Sequence, residues 1–355
     1  MNKTVLFIGT PGILLYSQSI KNIFQQLGFK VFEPEYPVFK DQNRLSKHFF
    51  RKQFLNNFFA KQNKLYIKAA QDCKPDFVFV INHSRITPLF LEYCKQNNIP
   101  VFLYCIDSIR WCDKAIEQMH FYTDIFSYEP SDCQIEFRSG KYVKFLPLGY
   151  DPAIYFPANK VPDYKYDLCF VGRLEKRRLE ILEQISKYAF KNKLSFIVYT
   201  SIQLRTITSI WLAPKLLVRR LKFALKYKYL NKFIINKPII GNELTELYHQ
   251  SKICLNIHVG THPGMHTGPN PRTFELLGCQ AFQLIDKGHL DATLLTSPQN
   301  LVEFNDIDTA IDKIHYYLNH EQERRQIAKA GNELVAGKYT LYNLIKTELE
   351  KSHLL

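Results

Sequence analysis

No apolar run in the sequence approaches the ~18 to 20 residues needed to cross a bilayer, so a membrane-spanning helix is not expected. The eight cysteines include no CxxC pair, which removes the usual zinc and dithiol motifs. Several stand inside apolar runs such as "VFLYCID" and "KICLNIH" and read as small core residues. Neither GxGxxG nor GxxxxGK[ST] occurs, so a dinucleotide oxidoreductase and a P-loop nucleotidase lose their main support. "GTPG" at 9 to 12 shows a tight turn after a strand and nothing more. The one DxD-like run, Asp306 and Asp308 in "NDIDTAID", reads as a loop and helix cap, and no bound metal or other cofactor is expected. His258, His262 and His266 fall four apart, but Gly260, Pro263 and Gly264 break any helix that would align them as ligands. Acidic residues are absent from 184 to 242, a stretch holding twelve Lys and Arg.

The 355 residues exceed one ordinary core and suit two domains. With 46% hydrophobic and 23% charged residues, the chain has a globular composition. The N-terminal apolar run before Gly9 is short and suits a buried strand better than a secretory signal, which points to a cytoplasmic protein.

Through residue 150, apolar runs ("TVLFIG", "KVFEPEY", "DFVFVIN", "PVFLYCID", "DIFSYEP", "VKFLPLG") alternate with helical patterns, including a long helix near 44 to 71. This rhythm predicts an α/β fold with a parallel sheet covered on both faces. Residues 151–165 carry three prolines and no period, as a linker would. The rhythm restarts with "YDLCFVGR" and continues through "LSFIVYTS", "SKICLNIHV" and "AFQLIDK" to about 338. Residues 339–355 read as a C-terminal helix packing back on the first domain. Two facing, doubly wound, Rossmann-like domains would put a ligand in the cleft between them, at the carboxyl ends of their strands.

One junction stands out: "HTGPNPRTFELLGCQ", residues 266–280, turns from a polar, glycine-broken loop into an apolar helix. Asn270 is a good cap and Pro271 suits the first helical position. The unpaired N–H groups of such a terminus, with Arg272 in the first turn, make an anion site. An ordinary capped helix with Arg272 in a surface ion pair is the bland alternative.

The segments "LPLGYDPAIYFP", "YDLCFVGRLEKRRLEIL", "LYHQSKICLNIH", "NPRTFELLGCQAFQLID" and "AIDKIHYYLNHEQERRQIAKAGNELV" resemble the group 1 glycosyltransferases of the spore maturation CgeB-like type. The likeness runs from about 145 onward and is strongest from 243 to 340. It implies the GT-B fold and transfer of a sugar from a nucleotide-diphosphate sugar to a hydroxyl acceptor, in surface polysaccharide or glycoconjugate synthesis. It also implies that Glu275 matches the family glutamate that binds the ribose hydroxyls, with Arg272 at the phosphates. Arg177 or Arg178 in "VGRLEKRR" matches the expected basic residue after Gly172, with a slight preference for Arg178. Asn256 and His258 would line the same pocket, and Asn270 and Thr273 share its helix start. The second acid of the broader group 1 pattern falls on Thr267, so an acid's role there does not carry over.

Group 1 enzymes mostly retain configuration and need no protein base. An inverting enzyme would need one, and Asp107 and His83 stand at strand ends of the first domain as the candidates. A GT-B-shaped sugar-nucleotide epimerase is a second enzyme reading. A nucleic-acid binder is a third, resting on the net charge of +14, with no RRM, zinc-finger or homeodomain pattern behind it, so nucleic acid is not the expected partner.

Within the acid-free stretch, over 205–237, Lys215, Arg219, Lys222 and Lys226 recur at helical spacing. Leu217, Leu221, Ala224 and Leu225 lie largely opposite, with Trp211 upstream. Such a helix suits an anionic membrane surface; a leucine face packed on the domain is the equal alternative. A second basic helix carries Phe50, Phe54 and Phe58 beside Arg51 and Lys52. Together they suggest a lipid-linked acceptor and peripheral contact with the inner face of a membrane.

Overall fold

The computed structural model describes residues 3–10, 14–35, 51–82, 86–111, 113–160, 163–200, 213–259 and 267–355. The chain divides into two compact units, Met1–Pro147 with Leu341–Leu355, and Leu148–Thr340.

The first unit is built on β1 (Thr4–Ile8), β2 (Lys30–Phe32), β3 (Phe77–Ile81), β4 (Val101–Cys105), β5 (Asp124–Ser127), a small antiparallel hairpin of β6 (Glu136–Arg138) and β7 (Lys141–Tyr142), and β8 (Lys144–Phe145). Its sheet is parallel with the order β2-β1-β3-β4-β5-β8. Every residue of β3 and β4 is buried, as expected for strands covered on both faces, and this is why they read as unbroken apolar runs. The helices α1 (Leu14–Gln26), α2 (Arg51–Cys73), α3 (Pro88–Gln96) and α4 (Asp113–Gln118) follow or cross these strands. On one side Phe24 packs edge-on against Phe29 and Phe79. On another, Tyr66 of α2 meets Phe90 of α3.

The second unit repeats the plan with β9 (Tyr166–Val171), α5 (Lys176–Lys191), β10 (Phe196–Thr200), α6 (Ala213–Lys226), β11 (Ile234–Asn236), α7 (Asn242–His249), β12 (Ser251–Asn256), α8 (Pro271–Gly278), β13 (Gln283–Asp286), β14 (Val302–Phe304), α9 (Ile307–Asn319) and α10 (Glu321–Lys338). The six strands are all parallel, in the order β11-β10-β9-β12-β13-β14. The order reverses between β9 and β12, and a crevice at such a reversal is where sheets of this kind bind ligands.

The described part of 151–165, expected to be a tether, belongs to this unit. Tyr150 is 4% and Tyr155 8% exposed, Tyr150 bridges to Thr340, and Thr245 Oγ1 donates to Ile154 O at 2.8 Å. The prolines gave the segment its linker look; its aromatic side chains supply the burial. The last helix, α11 (Leu341–Lys351), belongs to the first unit, where it packs on α1 and where Lys3 Nζ reaches Leu354 O at 2.8 Å.

Candidate functional site

Helix α8 starts where the sequence places it. The Asn270 side chain accepts from Thr273 N at 3.1 Å and Pro271 opens the first turn. Phe274, Leu276 and Leu277 are fully buried, so the helix is clamped along its inner face. Gly278 allows that clamp, because a Cβ there would stand 2.5 Å from the Tyr150 ring. The far end is tied by Asn332 Nδ2, which donates to Leu277 O and Gly278 O.

A buried polar network fixes the start of α8 to the sheet. Asn256, the last residue of β12, donates to Gln283 Oε1 at 2.8 Å and Thr273 Oγ1 at 3.1 Å, and accepts from Asn270 Nδ2 at 2.8 Å. His258 Nδ1 lies 2.8 Å from Asp286 Oδ1, and its Nε2 accepts from Asn270 N at 3.3 Å. These two bonds assign the proton to Nδ1 in a neutral ring. Burial lowers the His258 pKa to about 4, against the smaller opposing pull of Asp286. Asp286 ends β13 and is 2% exposed. Burial opposes its charge, but the hydrogen bond from His258 and the nearby His289, whose Nε2 lies 3.7 Å from Oδ2, outweigh burial and hold it well below the usual carboxylate range. Arg177 Nη1 completes the arrangement, reaching Asp286 Oδ2 at 2.6 Å and His258 O at 2.9 Å. The ring of His289 stacks on that of His258 at 3.4 Å.

Beside this network, Gly172 follows β9 and donates its N–H to Tyr199 O at 3.0 Å. A Cβ at Gly172 would come within 3.2 Å of the Phe170 ring and 3.4 Å of Arg178 Nη1, so glycine leaves the guanidinium its place. Arg178 is held by Ile257 O at 2.8 Å and Arg173 O at 3.1 Å. Burial lowers its pKa to about 10, so it stays charged at neutral pH.

Three expectations change here. Arg272 does not reach out from the helix terminus; its Nη1 donates to the Tyr248 hydroxyl and its guanidinium lies 5.9 Å from the Tyr248 ring centre. The aromatic ring shelters the cation and the hydroxyl satisfies it, so the side chain folds back onto α7. Asn256 and His258, expected in the pocket wall, are 2% and 3% exposed and spend their polar atoms on Asn270 and Asp286; they position the helix start. Thr273 is fully buried and does the same from the helix side.

Glu275 lies one turn further along α8, half-buried, near enough to Tyr155 for its carboxylate to act on the phenol. Burial, reinforced by this carboxylate, pushes the Tyr155 phenol well above its usual value, so it remains a donor. Of the Glu275 carboxylate, Oε2 is buried with no hydrogen-bond partner among the described residues.

In the first unit, Asp107 is exposed just past the end of β4, where Asn82 Nδ2 donates to it at 3.3 Å. Asn82 also accepts from Ile106 N at 2.9 Å, steadying the turn that carries the acid. His83 lies outside the described residues, as do His262, His266 and Trp211.

Sequence reasoning missed Asp286, His289, Tyr155 and Tyr248. Asp286 had a signal, a charged residue closing the apolar strand "AFQLID". Tyr155 and Tyr248 carry none, because their roles come from neighbours remote in the chain, and His289, three residues after Asp286, matters only through its stacking on His258.

Residues 182–350 match the model of a family described as glycosyl transferase-like. The spore protein CgeB of Bacillus subtilis (strain 168) is 20% identical over 79% of this chain and 84% of its own. Among solved structures, Anabaena HepE in complex with UDP-glucose superposes with a TM-score of 0.68 at 11% identity, covering 99% of this chain and 100% of that one. An α-glucosyltransferase in complex with UDP-glucose and DNA containing an abasic site gives 0.66 at 15% identity, over 98% of each chain. The matched domain and the doubly wound pair of sheets agree: the chain has the GT-B fold and carries a glycosyl transferase-like domain over residues 182–350, similar to CgeB.

Proposed function

We propose that the chain moves a sugar from a UDP-sugar to a hydroxyl acceptor with retention at the anomeric carbon, without a bound metal. The observation that carries the donor assignment is Glu275 Oε2, a buried carboxylate oxygen with no hydrogen-bond partner among the described residues, on the helix whose capped start faces the strand reversal. Leaving such an acceptor unmet costs ~1 to 3 kcal/mol, and a ribose hydroxyl is the donor that would meet it. The diphosphate would lie against Gly172, the guanidinium of Arg178, the exposed part of Arg177 and the first turn of α8. UDP is favoured because HepE and the α-glucosyltransferase are both solved with UDP-glucose.

In the reaction the bond from the anomeric carbon to the diphosphate oxygen breaks as the acceptor oxygen bonds to the same face. The departing phosphate takes the acceptor proton, and the arginines offset its growing charge. Asp107 then orients the acceptor. The test is calorimetry with UDP-, GDP- and dTDP-sugars on the wild type and Glu275→Gln, followed by anomeric analysis of the product. Equal donor affinity in both proteins removes the site; an inverted product gives Asp107 the role of base. Activity abolished by EDTA and restored by Mn²⁺ removes the metal-free mechanism.

The acceptor is a surface polysaccharide or glycoconjugate precursor, presented at an anionic membrane. Helix α6 supports this reading. Val218, Leu221 and Leu225 are 51%, 60% and 70% exposed, beside exposed Lys222 and Lys226, while Phe223 and Tyr227 take the inward face. The leucines at 221 and 225 therefore do not pack on the domain. The side chains of Lys215, Leu217, Arg219 and residues 51–57 lie outside the described set. Co-sedimentation with anionic vesicles tests the reading, and preferential binding to duplex DNA would replace it with a nucleic-acid acceptor.

A further inference from the structure

At the amino ends of β9, β12 and β13, opposite the ends that carry the donor site, the second unit holds a cavity of ≈ 250 Å³. Arg324, Arg325, Lys160 and His249 line it, and no Asp or Glu does. Arg324 is the largest fully buried side chain among the described residues, at 2% exposure. Its Nη1 donates to Tyr317 O, closing the end of α9, and its guanidinium lies 5.8 Å from the Tyr164 ring centre. The nearest acid acting on it, Glu321, is bound to Arg325. A buried cation is costly without a counter-charge, and here the protein supplies a carbonyl, the ring and phenol of Tyr164, and the charge of Glu321 that Arg325 shares.

We propose that this cavity is a binding site for a small anionic molecule, a phosphorylated or carboxylated compound with an apolar body. The guanidinium fork of Arg324 would take the oxyanion, for which its planar donors are matched. Lys160 and Arg325 add charge at the mouth. Tyr164 and Tyr248 provide flat walls for the rest of the molecule. Tyr248 also holds Arg272 through its hydroxyl, so the cavity and the first turn of α8 share one side chain. Occupancy on one face of the Tyr248 ring therefore bears on the placement of Arg272. That coupling rests on the donor reading above; the anion site itself does not.

Calorimetric titration with inorganic phosphate and, separately, citrate tests the site, each at matched ionic strength and with UDP saturating the donor site. One saturable equivalent is expected from one or both anions. The phosphate arm against the citrate arm tells a phosphoryl ligand from a carboxylate. The mouth double variant K160E/R325E should weaken binding at least tenfold, whereas Arg178→Ala, altered only at the donor site, should retain it. Absence of saturable binding by both anions, or unchanged affinity in the mouth variant, overturns the proposal. Failure of UDP to bind the wild type overturns the donor reading instead, and the anion arms are then read in Arg178→Ala without UDP. For the coupling, the anion that binds should shift UDP affinity in the wild type and leave it unshifted in Tyr248→Phe; no shift in the wild type overturns the link.

Discussion

His258 joins the cap of α8 to the end of β13, with Nε2 taking the Asn270 amide at 3.3 Å and Nδ1 2.8 Å from Asp286 Oδ1. The imidazole holds this place only while neutral, because a proton on Nε2 would set two donors face to face.

The pH dependence of stability follows from that geometry. The unfolded imidazole takes a proton near 6.5 and the folded one only near 4, so between these values the unfolded state binds more protons. Stability from this group is full above pH ~6.5 and falls as pH drops to about 4, by ~3 kcal/mol in all. Asp286, held low, stays charged through this window and adds its own loss only in stronger acid. Denaturant titrations from pH 7 to 4 should show a steeper fall for the wild type than for His258→Gln. Parallel curves would mean that the ring titrates normally.

Glu275→Gln should keep the fold, since amide and carboxylate have the same shape, and should bind UDP roughly tenfold to a hundredfold more weakly, the worth of a charged hydrogen bond of ~1.5 to 3 kcal/mol. Calorimetry reads the affinity and circular dichroism the fold.

Gly172→Ala places a methyl 3.2 Å from the Phe170 ring and 3.4 Å from Arg178 Nη1. The arginine is the softer neighbour and should move. The expected result is a melting temperature close to the wild type with a clear loss of UDP affinity. A large drop in melting temperature with affinity intact would show that the glycine serves the core instead.

Gly278→Ala has the opposite signature. Its methyl would meet the Tyr150 ring at 2.5 Å in a closely packed place, so ~1 to 3 kcal/mol of stability should go. Pairing it with Tyr150→Leu should recover part of that loss in thermal unfolding.

Leu221 and Leu225 are exposed, so the double change to Ser should alter stability by no more than ~0.5 kcal/mol per site. Binding to anionic vesicles at low salt should fall severalfold. Retained binding would assign the interaction to charge alone.

The strands of the first sheet, β9, β10, β12 and β13 of the second, the parallel class and the cap at Asn270 were legible, because each depends on local pattern: apolar runs, turn residues, an Asn-Pro pair before a helix; β11 and β14, three residues each, are too short to show one. Directions of long polar side chains were not. Arg272 reads as a projecting cation because its neighbours in sequence are polar; Tyr248, 24 positions earlier, turns it inward. His258 looks like a pocket residue at a strand end, until Asp286 and Asn270 occupy both its nitrogens. The helix at 213 shows its amphipathic period plainly, but the inward face is chosen by Phe223 and Tyr227, which find room in the core that the leucines do not. Tyr155 sits in a segment whose prolines suggest a tether, and nothing nearby announces its approach to Glu275.

The placement of α11 on α1 has a consequence for biogenesis. The first unit is discontinuous, its sheet made early and one of its covering helices made only after the whole of Leu148–Thr340. On the ribosome the contiguous second unit has all its strands available before the first has its full complement of helices, the reverse of the usual amino-to-carboxyl order. Until Leu341–Lys351 emerges, the part of α1 against which it packs stays open, a surface for chaperones, and a stop codon near 340 would be felt at the opposite end of the polypeptide.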